Sequence, residues 1–307
     1  MGLRIRTNVT SLVAQRHLAE AGKATAKQTE KLSSGFRINH GADDAAGFAI
    51  AEVLKADVRS LNQARRNAND AVSLVQTAEG GLDEVNNIMV RLRELSVQSA
   101  SDTVGMRDRR YINEEFMALK DEVDRIAIST EFNGTRLLAG NAELGGELRK
   151  DHNWSPLEMQ VGKDYYAQAD SLEAHNPINI IRMNMDQFNT MTEGEGSLGL
   201  GNSQNPEGAR VDTKQAAQNS IGQINKAMES IASYRGTLGS IQNRLESTDR
   251  NIAIQVESLS AARSRIKDAD FALESAEYTQ QNILQQAGAS VLLQANQLPQ
   301  LALKLLQ

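Results

Sequence analysis

The sequence predicts a mainly α fold, with long antiparallel helical arms packing as coiled coils at the two ends of the chain and a small β-containing region in the middle. Three observations predict it. Apolar residues recur at heptad spacing in two stretches far apart in the chain. Aromatic residues make up only 4%, while residues that favour helices dominate. Three of the four prolines (Pro156, Pro177, Pro206) and the only Trp (Trp154) fall between the two stretches.

The N-terminal arm carries the clearest repeat. Leu61, Ala64, Ala68, Ala71, Val75, Ala78, Leu82, Val85, Met89 and Leu92 follow one another in unbroken steps of three and four, which is a heptad seam. Ile50 and Leu54 extend it backwards past Asp57, and Gly80-Gly81 weakens it, each Gly costing ~1 kcal/mol relative to Ala. A further helix over 106–130 sets Phe116, Leu119, Val123 and Ile126 on one face and stops before the turn signal Asn133-Gly134.

Between 140 and 210 the helical period is lost. Leu157-Glu158-Met159-Gln160-Val161 and Ile178-Asn179-Ile180 alternate and read as strands. In the C-terminal arm Ile224, Ile231, Leu238, Leu245, Ile252, Leu259 and Ile266 recur every seven residues. Their companions four residues on are mixed: Met228 and Val256 are apolar, whereas Arg235, Gln242 and Asp249 are polar. The stripe therefore reads as narrow, and at ~1.5 Å per residue this helix reaches ~60 Å. Last comes Leu284, Val291, Leu298 and Leu305, an apolar stripe that a lone chain would leave exposed until a partner covers it. The arms thus suggest an elongated hairpin.

Charge and composition exclude several functions. A net charge of −6 without clustered Lys and Arg argues against nucleic-acid binding. With no cysteine, disulfides and thiolate metal sites are excluded. The first residues lack the apolar run of a secretory signal, and no run of ~18 apolar residues marks a membrane span.

Motifs suggestive of chemistry fail on context. Gly194, Gly196 and Gly199 have G-x-G-x-x-G spacing but no strand–helix setting, and Glu193 and Glu195 would repel phosphate, so a flexible loop is expected. Asp43-Asp44 reads as a cap or surface pair, because adjacent helical residues diverge by ~100° and no further ligand stands nearby. His17, His40, His152 and His175 are scattered. Asn8-Val9-Thr10, Asn133-Gly134-Thr135 and Asn153-Trp154-Ser155 match the glycosylation acceptor pattern by chance. No catalytic residue, metal site or cofactor is expected; an enzyme in the 140–210 segment would lack a nucleophile–base pair.

Specific strings then resemble one family. Leu32-Ser33-Ser34-Gly35-Phe36-Arg37-Ile38-Asn39, Asp43-Asp44-Ala45-Ala46-Gly47 and the run Arg91 to Ala100 resemble the N-terminal signature of bacterial flagellins. Ala262 to Phe271 and Gln285 to Gln297 resemble the C-terminal signature. The resemblance covers about residues 1–140 and 210–307, and the short middle implies reduced or absent outer domains.

The resemblance implies a structural subunit that polymerises into the extracellular flagellar filament, the propeller for swimming. It implies terminal helices 1–44 and 266–307 in the filament core, disordered in the monomer, a helical shell from 45–140 and 210–265, and an outward-facing variable region over 141–209. Core packing is expected from Val9, Leu12, Leu284, Val291, Leu298 and Leu305, with the four C-terminal residues near Val9 and Leu12. Shell packing is expected from Leu61, Val75, Leu82, Leu92, Ile224, Ile231, Leu238, Leu245, Ile252 and Leu259. Implied partners are further copies of the chain, the flagellar cap and hook-junction proteins, an export chaperone on the C-terminal segment, and the flagellar type III export apparatus, with no signal cleavage. A Toll-like innate receptor is a further implied partner through Arg91, Leu95 and Glu115; Leu119 and Val90 depart from the family's receptor-binding pattern and weaken that contact. Rival readings are a hook–filament junction protein of the same superfamily and a coiled-coil adaptor.

Overall fold

The computed structural model describes residues 8–140, 156–172, 177–194, 196–202 and 208–305 of the 307-residue chain, with side chains described through residue 297. His152, the Asn153-Trp154-Ser155 triplet, His175, Glu195, Pro206 and the side chains of Leu298 and Leu305 lie outside the described residues. The described architecture is mainly α. Its helices are α1 (Val9–Ser34), α2 (Ala45–Ala100), α3 (Met106–Ser129), α4 (Lys214–Lys267) and α5 (Phe271–Leu305). Two antiparallel hairpins, β1 (Glu131–Phe132) with β2 (Thr135–Arg136) and β3 (Leu157–Gln160) with β4 (Ile180–Met183), are the described sheets. The chain forms two compact units: Met1–Arg59 with Val256–Gln307 (unit 1), and Ser60–Gln255 (unit 2).

Unit 2 is built on the α2 seam. All ten residues from Leu61 to Leu92 that alternate in steps of three and four are buried. The small side chains Ala68, Ala71 and Ala78 leave room for the facing α4, and Val75, Leu82, Val85 and Met89 fill the space beyond. From α4, Ala217, Ile224, Ala227, Ile231, Leu238, Ile241 and Leu245 enter the same core. The buried companions in α4 thus stand at +3, at Ala227 and Ile241, and not at the +4 positions of the sequence reading. The stripe is wider than expected because an Ala in tight contact buries as completely as a Leu.

Gly81, which looked like a weakness in α2, serves a close approach. A Cβ there would lie 2.7 Å from Leu138 Cδ1 and from Thr130 Oγ1, so a side chain would push apart α2 and the segment after α3. The Asn133-Gly134 turn closes the β1–β2 hairpin with φ of 50° and 79°, the left-handed pair that a two-residue hairpin demands. The β3–β4 ladder confirms the strand assignments, with Leu157 opposite Met183 and Gln160 opposite Ile180, although the second strand starts at Ile180 and not at Ile178.

Two polar groups inside unit 2 fasten loops to helices. Lys120 is fully buried on α3, and its Nζ donates to the carbonyls of Leu200 (3.0 Å), Asn202 (3.3 Å) and Ala209 (3.1 Å). Burial pulls its amine down to about 8, against the pull of Asp124 and Asp121. Asp170 accepts from the Ile178 and Asn179 amides (2.8 Å each), the Asn179 side chain (2.8 Å) and the Tyr166 amide (2.9 Å). Burial pushes its carboxyl up, but these bonds outweigh it and hold the group at about 2.

Candidate assembly surfaces

Unit 1 is where the chain leaves apolar surface uncovered. Helix α1 begins at Asn8, whose side chain accepts from the Ser11 amide (3.1 Å), and ends where the Gly35 N–H bonds Lys31 O (2.9 Å). It runs antiparallel to α5, tied by Asn8 Nδ2 to Ala295 O (2.8 Å) and Ser11 Oγ to Asn296 Oδ1 (2.8 Å) at one end. Lys31 Nζ pairs with the buried Glu274 carboxylate (3.0 Å) at the other.

The seam of this pair is small and polar. Ser11 and Ala14 are its buried residues on α1, and Leu18 meets Gly288. On α5 the inward positions Glu274, Tyr278, Gln281, Gln285, Gly288, Leu292 and Ala295 keep heptad steps one residue out of phase with the expected stripe. The stripe itself faces away. Val9 (56%), Leu12 (57%), Leu284 (49%) and Val291 (53%) are all exposed, so within one chain they do not pack on each other. Ile283, Leu293, Leu273 and Phe271 enlarge this exposed apolar surface.

The two signature strings meet in unit 1. Arg37 N and Ile38 N both donate to Lys267 O (2.7 and 3.4 Å), Ala269 N donates to Gly35 O (3.0 Å), and Arg37 Nη2 donates to Ile266 O (2.7 Å). Lys267, mostly buried, pairs with Glu52 (3.2 Å) and lies over the rings of Phe36 (5.0 Å) and Phe48 (5.5 Å). The sequence reading missed this joint, although a lysine between two signature strings and two nearby phenylalanines signals it.

Asp43 and Asp44 act as turn and cap. Asp44 Oδ1 accepts from the Gly47 amide (3.0 Å) at the start of α2. Asp43 pairs with Lys27 (2.7 Å) and accepts from the Asn39 and His40 amides (3.2 Å each). The Lys27 side-chain bond first, then the His40 amide, hold its carboxyl at about 2. His17 and His40 pair with Glu20 and Glu30 on the surface, and no group of metal-ligating residues occurs among the described residues. Gly194, Gly196 and Gly199 sit in bends with positive φ, without a strand before or a helix after.

The expected shell residues are placed as follows. Leu61, Val75, Leu82, Leu92, Ile224, Ile231, Leu238, Leu245 and Ile252 are buried in unit 2, and Leu259 of unit 1 is half-buried. Of the expected receptor contacts, Arg91 pairs with Glu115 (2.8 Å) and Glu94 (3.0 Å) on the surface. Leu95 is corrected: it is 1% exposed, part of the core, and offers no contact surface.

Comparison with known proteins agrees along the whole chain. The family model described as the bacterial flagellin N-terminal helical region matches residues 5–143, and the model of the C-terminal helical region matches residues 221–306. The flagellin of Halalkalibacterium halodurans is 37% identical over 303 residues, 99% of each chain. The flagellin of Bacillus subtilis is 38% identical over 316 residues, covering 99% of this chain and 100% of its own. Flagellin FlaB2 of Treponema pallidum is 37% identical over 304 residues, 99% of each. A crystal structure of Bacillus cereus flagellin aligns with 64% of this chain and 94% of its own at 26% identity and a TM-score of 0.45.

Proposed function

The chain belongs to the bacterial flagellin family and is a structural subunit of the flagellar filament, and from that premise we propose how its surfaces drive polymerisation. The observation that carries the proposal is the uncovered apolar surface of α1 and α5 beside a small, polar intrachain seam. At ~25 cal/mol per Å² of apolar area removed from water, covering these faces with neighbouring copies offsets the cost of ordering the helices. Val9, Leu12, Leu284, Val291, Leu298 and Leu305 carry this core packing. Segments 1–44 and 266–307 form the filament core, 45–140 and 210–265 the shell, and 141–209 the outer surface.

Family membership supports the finer partners as well: export through the flagellar type III apparatus without signal cleavage, a chaperone on the C-terminal segment, and cap and hook-junction proteins at the filament's ends. A Toll-like receptor contact would rest on Arg91 and Glu115, which already engage each other, so recognition is weak in this chain.

The test is the double variant Leu284→Asp with Val291→Asp. It abolishes seeded polymerisation, seen by negative-stain electron microscopy, while the unfolding midpoint of unit 2 stays unchanged. Filaments at the normal yield would refute the proposal.

A further inference from the structure

Unit 2 holds a groove and a ridge that its own core does not use. The groove, about 560 Å³, is lined by β4, α2 and α4. Its floor is apolar, with Leu61, Ile180 and Ile252 almost fully buried. Its rim carries the half-exposed ring of Tyr166 and the exposed guanidinium of Arg244, which forms no ion pair among the described residues.

The ridge is the first two turns of α3. Tyr111 is 64% exposed, and Asp108, three residues earlier on the same helix face, is exposed and unpaired among the described residues. Arg109 fixes these turns to the end of α2 by donating to Ser99 O and Ser101 O (2.9 Å each). Roughly 60 Å of α2 separates Leu61 from Ala100 at ~1.5 Å per residue, so groove and ridge of one copy do not meet.

Two different patches on one chain that fit each other, and whose contact does not close, generate an open filament and not a dimer. The patches complement each other: an unpaired carboxylate beside a phenol on one, an unpaired guanidinium above an apolar floor on the other. We propose that Tyr111 and Asp108 of one copy seat in the groove of the next, with the Tyr111 ring on Leu61 and Ile252 and the Asp108 carboxylate on Arg244. The contact is head to tail and strings copies along the filament. It rests on the filament-subunit reading and names a partner surface distinct from the terminal helices.

The chain has no cysteine, so Tyr111→Cys with Thr248→Cys, a groove residue, gives one engineered pair. Mild oxidation of filaments of this variant yields a ladder of disulfide-linked multimers on a non-reducing gel, and oxidation of monomers yields none. Filaments without a ladder overturn the docking and leave the filament reading intact. Failure of the unaltered chain to polymerise overturns both.

A charge exchange covers the case in which the cysteine variant does not assemble. Asp108→Arg and Arg244→Asp each slow elongation by about tenfold, and the two together restore it to within about threefold of the unaltered chain. Single variants that elongate normally, or a double variant no faster than either, overturn the contact.

Discussion

Unit 1 and unit 2 are made of the same kind of helix but bury opposite things. Unit 2 turns its Leu, Ile, Val and Phe inward and closes a core that needs no neighbour. In unit 1, α1 and α5 turn Ser11, Ala14, Gln285 and Gly288 toward each other and leave Leu12, Leu284 and Val291 in solvent. The difference shows how one chain can be both a folded monomer and an assembly part: apolar area spent inside stabilises the subunit, and apolar area held outside stabilises only the polymer.

The largest expected break in that comparison is Phe116→Ala, which removes a fully buried ring from unit 2 and costs about 3–5 kcal/mol, read by denaturant unfolding. Leu284→Ala in unit 1 shifts the same measurement by no more than ~0.5 kcal/mol, because the side chain is already in solvent. Comparable losses would erase the distinction between the units.

Next is Lys120→Met in unit 2. It leaves the carbonyls of Leu200, Asn202 and Ala209 without their donor and costs about 3 kcal/mol, with faster amide exchange over 200–209. Smaller again is Asp44→Ala, which removes the cap on Gly47 N and costs about 1 kcal/mol in thermal unfolding followed at the start of α2.

The smallest effect is set by pH. The Asp43 carboxyl is held at about 2 in the folded chain, below its ordinary value. Its contribution is present above the ordinary carboxylate range and is lost as pH falls toward 2. Amide exchange at Asn39 and His40 therefore rises between pH ~4 and ~2, and Asp43→Asn removes that dependence.

Legibility in the sequence follows the same division. The α2 seam was readable residue by residue, because a closed core enforces its period. The α4 seam was readable at its sevenfold positions but not at its companions, since Ala227 and Ile241 are chosen by the facing helix. In α5 the apolar period was real but marked the outward face; the inward one, Gln285 to Ala295, is too polar to be seen as a seam. Lys120 interrupts the period Phe116, Val123 and Ala127 at a core position, a signal that a buried cation was needed. Its three acceptors lie far along the chain, and no local pattern encodes them. The joint at Lys267 is of the same kind: both strings were recognisable, their meeting was not.

The most direct test is amide hydrogen exchange on the free chain and on filaments grown from it. The account predicts that α1 and α5 exchange much faster than α2 residues 65–95 in the free chain, slow by about a hundredfold or more in filaments, and leave the α2 core unchanged. Helices α1 and α5 as protected in the free chain as in the filament would contradict it.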